Sequence, residues 1–98
     1  MKLRWSEEAR RDRVEIVDYI WTDNPPAASR MNEVFEAAAN RLVEFPHHGR
    51  AGAIPGTREF IPHPSYRLVY EITSGEIVIH ALVHTARRWP LVADEGDD

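Results

Sequence analysis

The tetrapeptide Asp23-Asn24-Pro25-Pro26 does most to limit how this chain can fold. A residue before proline is pushed out of the α region, so no single helix runs through this point. On its N-terminal side Ala9, Ile16, Val17 and Ile20 recur at helical spacing, while Arg10, Arg11, Glu15 and Asp18 turn away. Ser6 is the expected cap of this helix, with Glu7 and Glu8 in the first turn, where the helix dipole favours acids. On the C-terminal side Asn24 caps a second helix and Pro25 takes its first position. Ala27, Met31, Val34, Phe35, Ala38, Leu42 and Phe45 form its apolar stripe, expected to be core, and Pro46 lies just beyond. Two helices joined by so short a breaker make an antiparallel hairpin with one apolar face to bury. A helix-turn-helix DNA reader fits poorly: the second helix is too long and the first too acidic to lie on phosphates.

Strands must supply the partner for that face. Lys2 to Trp5 is a short one. Pro46 to Thr57 reads as a long loop, Thr57 to Ile61 as a strand that Pro62 and Pro64 confine to an edge or a bend. From Ser65 to Ile72, residues Tyr66, Leu68, Tyr70 and Ile72 share one face, and Arg67, Val69 and Glu71 the other. Thr73-Ser74-Gly75-Glu76 is a turn. From Ile77 to His84, strict alternation places Ile77, Ile79, Ala81 and Val83 on one face and Val78, His80, Leu82 and His84 on the other; apolar residues on both make this a central strand. The expected fold is α+β: an N-terminal strand, then a long antiparallel helix hairpin packed on a mainly antiparallel four-stranded sheet, in the order β-α-α-β-β-β. With 98 residues there is room for one core. Residues 1–92 read as a single domain and 93–98 as an acidic tail expected to be disordered.

Charge and composition narrow the function. The net charge is −4, which argues against a general nucleic-acid binder and against sequence-specific DNA binding by this chain. Four of the acids, Asp94, Glu95, Asp97 and Asp98, sit in the tail; without them twelve basic residues face twelve acids. All the basic residues except Lys2 are arginine, which suits bidentate and stacked contacts. Cysteine is absent, which excludes disulfides and thiolate metal sites. No apolar stretch approaches the roughly 20 residues of a membrane span, and the N-terminus carries no signal-peptide pattern. The expectation is a cytoplasmic protein with no membrane association and no cofactor.

The residues that could carry chemistry cluster late. Arg58, Arg67, His84, Arg87 and Arg88, with Trp89 beside them, come from the last strands and the segment after them. Antiparallel pairing through the Ser74-Gly75 turn is expected to bring Arg67 close to the His80–His84 region, with Arg58 on the adjacent strand. Convergent arginines and a histidine on an open sheet face suit a phosphate or an acidic partner. The simpler reading is that the arginines pair with Glu59 and Glu71. Spacing argues against a metal site on His80 and His84, because positions i and i+4 of a strand lie about 13 Å apart. Val14, Tyr19 and Val43 are apolar residues left over on the hairpin, suited to an amphipathic partner helix.

These pieces, in order, resemble the ParE/RelE superfamily of toxins from bacterial type II toxin–antitoxin modules. The resemblance is carried by Tyr19-Ile20, Asp23-Asn24-Pro25, Ala28 and Arg30, then Phe45-Pro46, Gly49-Arg50 and Gly52. It continues through Pro55-Gly56-Thr57-Arg58-Glu59, Tyr66-Arg67-Leu68-Val69-Tyr70 and His84-Thr85-Ala86-Arg87-Arg88-Trp89-Pro90. It implies a toxin neutralised by a cognate, ParD-like antitoxin encoded beside it. A ParE-like member would inhibit DNA gyrase without being an enzyme, using Arg58, Arg67, His84, Arg87, Arg88 and Trp89 on its target and Val14, Tyr19 and Val43 on its antitoxin. A RelE-like member would cleave mRNA on the ribosome, with Arg67 and Arg87 stabilising phosphate charge and His84 transferring a proton. The long hairpin and the acidic balance with a single lysine favour the ParE-like branch, since a ribosome-bound nuclease gains from a strong positive field.

Overall fold

Ser6 ends the first strand and starts the first helix with one side chain. In the computed structural model, which describes residues 1–90, strand β1 (Lys2–Trp5) gives way to helix α1 (Glu7–Trp21). The Ser6 hydroxyl oxygen accepts from the Ala9 amide at 3.1 Å, satisfying one of the orphan donors of the helix start. Asn24 repeats the device for α2 (Pro25–Glu44), accepting from the Ala27 amide at 3.1 Å, with proline in the first turn. Arg13 clamps the two helices: it donates to Asn32 Oδ1 at 2.9 Å, pairs with Glu36 at 2.8 Å and lies over the Trp5 ring at 4.7 Å.

Four further strands follow: β2 (Arg50–Ala51), β3 (Arg58–His63), β4 (Tyr66–Thr73) and β5 (Glu76–His84). They form one mixed five-stranded sheet in the order β1-β5-β4-β3-β2, with β1 parallel to β5 and the other pairs antiparallel. The expected α+β architecture with its helix hairpin is present. The expected four strands become five, because Arg50 and Ala51 pair with Glu59 and Arg58 inside the segment read as loop. β5 lies inside the sheet, between β1 and β4, as its two apolar faces require. Gly75, at a φ of 84°, makes the turn between β4 and β5, a conformation that a residue with a Cβ enters at a cost.

Both helices cover one face. Phe35, Ala38, Ala39 and Leu42 of α2 and Ala9 of α1 meet Leu68, Tyr70, Ile77, Ile79 and Leu82 of the sheet. The alanines let helix and sheet approach, while Phe35, Leu42, Leu68 and Ile79 bury large side chains completely, each worth roughly 1.5–3 kcal/mol. Phe45, expected in this core, is 52% exposed, because α2 ends at Glu44 and Phe45 takes the cap position with Arg41 over its ring.

One irregularity decides the rest. Pairing between β4 and β5 slips after Val69, so that Val69 opposes Ala81 and Tyr70 opposes Ile79, leaving His80 as an extra residue. Strict alternation therefore fails along β5. Ile77, Ile79 and Leu82 face the helices, whereas Ala81 and Val83 join Val69 on the opposite face.

Tyr70 ties the β2 segment to the core. Its buried hydroxyl donates to the Pro46 carbonyl at 2.6 Å and accepts from the Gly49 amide at 2.9 Å. A Cβ on Gly49 would lie 2.8 Å from that hydroxyl and 2.7 Å from the Glu59 carbonyl. Tyr70→Phe should lower stability by about 1–3 kcal/mol by orphaning the Gly49 amide, and Gly49→Ala should cost at least as much. Urea unfolding of the two variants beside the parent checks both.

Candidate functional site

The segment after β5 is held down before it delivers its charged side chains. Thr85 donates its amide to the Ser65 carbonyl at 2.8 Å and its hydroxyl to the Pro64 carbonyl at 2.7 Å. Arg87 donates its amide to the His84 carbonyl at 2.9 Å, closing a turn. The chain then brings Trp89 against Val69, Ala81 and Val83, on the face the helices do not cover. Arg87 and Arg88 are exposed on this turn, and their side chains make no ion pair among the described residues. Trp89 is half-buried, its indole N–H enclosed without an acceptor.

The sheet arginines are placed differently. Arg67 has only 17% of its side chain exposed, and its Nε lies 3.6 Å from Oε1 of the buried Glu59. The other Glu59 oxygen accepts from the Ala53 amide at 2.9 Å, so this acid holds the β2–β3 connection. Arg58 donates from Nε to the Gly49 carbonyl at 2.9 Å and from Nη2 to the His47 carbonyl at 3.2 Å. Two of the four arginines singled out from sequence thus brace the same segment from opposite sides of β3.

His84 stands on the helix-covered side, edge-on to Tyr66 with ring centroids 5.3 Å apart; Tyr66 in turn meets Phe35 edge-to-face at 5.4 Å. Its Nδ1 accepts from the Ala86 amide at 3.0 Å. A nitrogen that accepts carries no hydrogen, so the N–H of this ring is on Nε2. His80 turns to the opposite face, where its Nε2 meets Glu71 Oε1 at 2.8 Å. The pairing does bring Arg67 opposite Val83, within the His80–His84 region as expected, but on the face away from His84. The bulge puts His80 and His84 on opposite faces, and Arg67, opposite Val83 in the ladder, shares a face with Ala81 and Trp89 and not with His84. What the fold does bring together is Tyr66, His84, Arg87 and Trp89, around the end of β5.

On the hairpin, Tyr19 is 80% exposed and Val14 is also exposed, while Val43 is half-buried. Trp21 and Ile61 are large apolar residues at the surface that sequence reading did not single out, and Phe45, read as core, joins them there. Trp21 and Phe45 each fall at a helix end, where periodicity no longer tells the inner from the outer side. Asp12 was missed as well. Its Oδ2 accepts from the Leu82 amide at 3.1 Å, three residues beyond Ile79, where pairing with β1 ends. Burial raises its pKa above the ordinary 3.8, helped by Glu15 and opposed by the Leu82 hydrogen bond, Arg87 and Arg11. Burial, with Tyr19 nearby, likewise raises the pKa of the Tyr66 phenol.

A family model described as the ParE toxin of the type II toxin–antitoxin system parDE matches residues 3–89. "Putative toxin Y4kP" of Sinorhizobium fredii is 36% identical over 92 residues, covering 93% of this chain and 95% of that protein. "Toxin RelE2" of Caulobacter vibrioides is 36% identical over 83 residues, covering 85% and 93%. Among solved structures, the chromosomal ParDE system of P. aeruginosa superposes with a TM-score of 0.76 at 22% identity, covering 86% of this chain and 95% of that one. A YoeB/ParE toxin from Agrobacterium tumefaciens gives 0.62 at 17%, covering 86% and 98%. The chain belongs to the ParE toxin family of type II toxin–antitoxin systems, and that family implies an antitoxin as its partner.

Two outcomes follow from these placements. Arg67→Met should destabilise by about 1–3 kcal/mol, because it leaves the buried Glu59 carboxylate without its cation. Adding Glu59→Gln should then cost less than the two single losses together, as a urea double-mutant cycle would show. For Asp12 the folded pKa is raised, so ionisation favours the unfolded chain and the parent loses stability as pH rises through that pKa. Asp12→Asn keeps an acceptor for the Leu82 amide without the charge. Its stability relative to the parent should rise between pH 3 and pH 7 in thermal melts at each pH.

Proposed function

We propose that this toxin acts by binding DNA gyrase through the turn that follows β5, with Arg87, Arg88 and Trp89 as the contacting residues, and that a ParD-like antitoxin restrains it from the hairpin side, on Val14, Tyr19 and Val43. Such a target puts its site of action in the cytoplasm. The observation that carries this reading is the separation of Arg67 from His84 across the sheet. A nuclease of the kind outlined from sequence needs a proton acceptor beside cations on the scissile phosphate. Here the Nδ1 lone pair of His84 is occupied by the Ala86 amide, and Arg67 is engaged with Glu59 on the other face. Exposed arginines beside a half-buried tryptophan instead have the composition of a protein-binding hot spot. In this reading Arg58 and Arg67 support the binding surface by fixing the β2–β3 segment, and His84 shapes the turn through its ring nitrogen.

The second reading, ribosome-dependent mRNA cleavage by Arg67, Arg87 and His84, is favoured by one fact: the relative from Caulobacter vibrioides carries the name RelE2. Purified toxin added to a gyrase supercoiling reaction and, in parallel, to translating ribosomes with a defined mRNA separates the two. The expected result is inhibited supercoiling with intact mRNA, and inhibition weakened about tenfold or more by Arg87→Ala or Arg88→Ala with unchanged unfolding curves. Cleaved mRNA with normal supercoiling would overturn the gyrase reading.

A further inference from the structure

A cavity of about 290 Å³ opens where α1 crosses the end of β5. Asp12, Glu15, Ile16 and Tyr19 form its helix wall; Leu82, Val83 and His84 form its floor, with Tyr66, Arg87 and Trp89 closing the far side. Val83 and Trp89 belong to one face of the sheet and Leu82 and Tyr66 to the other, so the cavity wraps around the edge of β5. β1 covers that edge only as far as Ile79. The next edge groups are already capped by side chains: Ser6 donates to the His80 carbonyl at 3.3 Å and Asp12 accepts from the Leu82 amide. A partner strand continuing β1 would have to displace both. A single side chain entering from outside would not.

The chemistry of the cavity selects which side chain. Asp12 and Glu15 contribute two carboxylates against one guanidinium from Arg87, and Arg11 on the same helix is paired with Glu7 at 3.4 Å. Oδ1 of Asp12 has no donor among the described residues. Tyr19, Tyr66 and Trp89 supply aromatic surface, which attracts a cation to a ring face. The chain already uses this pairing twice, with Arg13 over Trp5 and Arg41 over Phe45.

We infer that this cavity seats one arginine or lysine side chain of the antitoxin, held by Asp12, Glu15 and the aromatic walls. The assignment to an antitoxin rests on the toxin–antitoxin reading; the preference for a cation does not. The site lies beside Tyr19, the most exposed large apolar residue of the hairpin, so the seat continues the apolar surface assigned to that partner.

The test has two arms. In the first, the whole chain is titrated with N-acetyl-arginine amide, N-acetyl-lysine amide and the uncharged N-acetyl-norleucine amide, following the Leu82 amide and Trp89 indole signals by NMR. Saturating shifts with the cationic amides, absent with norleucine and lost in Glu15→Gln and Asp12→Asn, are expected. Equal shifts with norleucine, or none with either cation, would overturn the cation site. Glu15→Gln, on an exposed residue, keeps the test sound if Asp12→Asn disturbs the fold. In the second arm, the protein encoded next to this gene is tested for binding to the parent and to Glu15→Gln. Binding weakened about tenfold, together with one arginine or lysine in that protein whose replacement by methionine has no further effect in the Glu15→Gln background, supports the assignment. Equal binding to parent and variant overturns the antitoxin as occupant while leaving the module reading intact. No binding to the parent counts against that reading itself.

Discussion

The extra residue at His80 is the constraint on which the arrangement of this molecule depends. A strand alternates its side chains with period two, and one inserted residue reverses every side chain beyond it. Before the bulge Ile77 and Ile79 point into the helix core; beyond it Leu82 keeps that role while Ala81 and Val83 form a second apolar patch. Without the slip, Ala81 and Val83 would sit under the helices and Leu82 outside. The turn that follows would lose the surface on which Trp89 rests, and His84 would leave Tyr66. The bulge therefore sets both the packing of the core and the side of the sheet on which each candidate residue appears.

The segment from Pro46 to Thr57 shows a second level of organisation. It contains one two-residue strand, yet three side chains hold it: Tyr70 through its hydroxyl, Arg58 through the Gly49 and His47 carbonyls, and Glu59 through the Ala53 amide. Arg67 completes the set by balancing the Glu59 charge. Residues that look like a charged target surface in sequence thus maintain a loop. A loss of toxicity on replacing Arg67 is then informative only beside a stability measurement.

Local chemistry was legible in the residues, and long-range register was not. Ser6, Asn24 with Pro25, and Gly75 mark their elements because a cap or a turn is decided by neighbours within a few positions. The hairpin and its α+β setting follow from the proline breaker and two helical periods. β2 escaped because a two-residue strand has no period to detect, and the segment is held in place by Tyr70, distant in the chain. The bulge escaped because β5 is apolar on both faces, so the pattern reads equally well before and after a slip. Phe45 escaped because the stripe continues smoothly into a residue that the helix no longer holds. Asp12 escaped because an acid on an acidic helix carries no sign that it completes a sheet edge.

The central claim is that the turn carrying Arg87, Arg88 and Trp89 meets a protein target and that this target is gyrase. A photo-crosslinking amino acid placed at Arg88 in the full chain, induced in cells without antitoxin and irradiated, tests it most directly. A covalent adduct to a gyrase subunit, reduced by Trp89→Ala, is the predicted result. Adducts to ribosomal protein or mRNA, with none to gyrase, would contradict it.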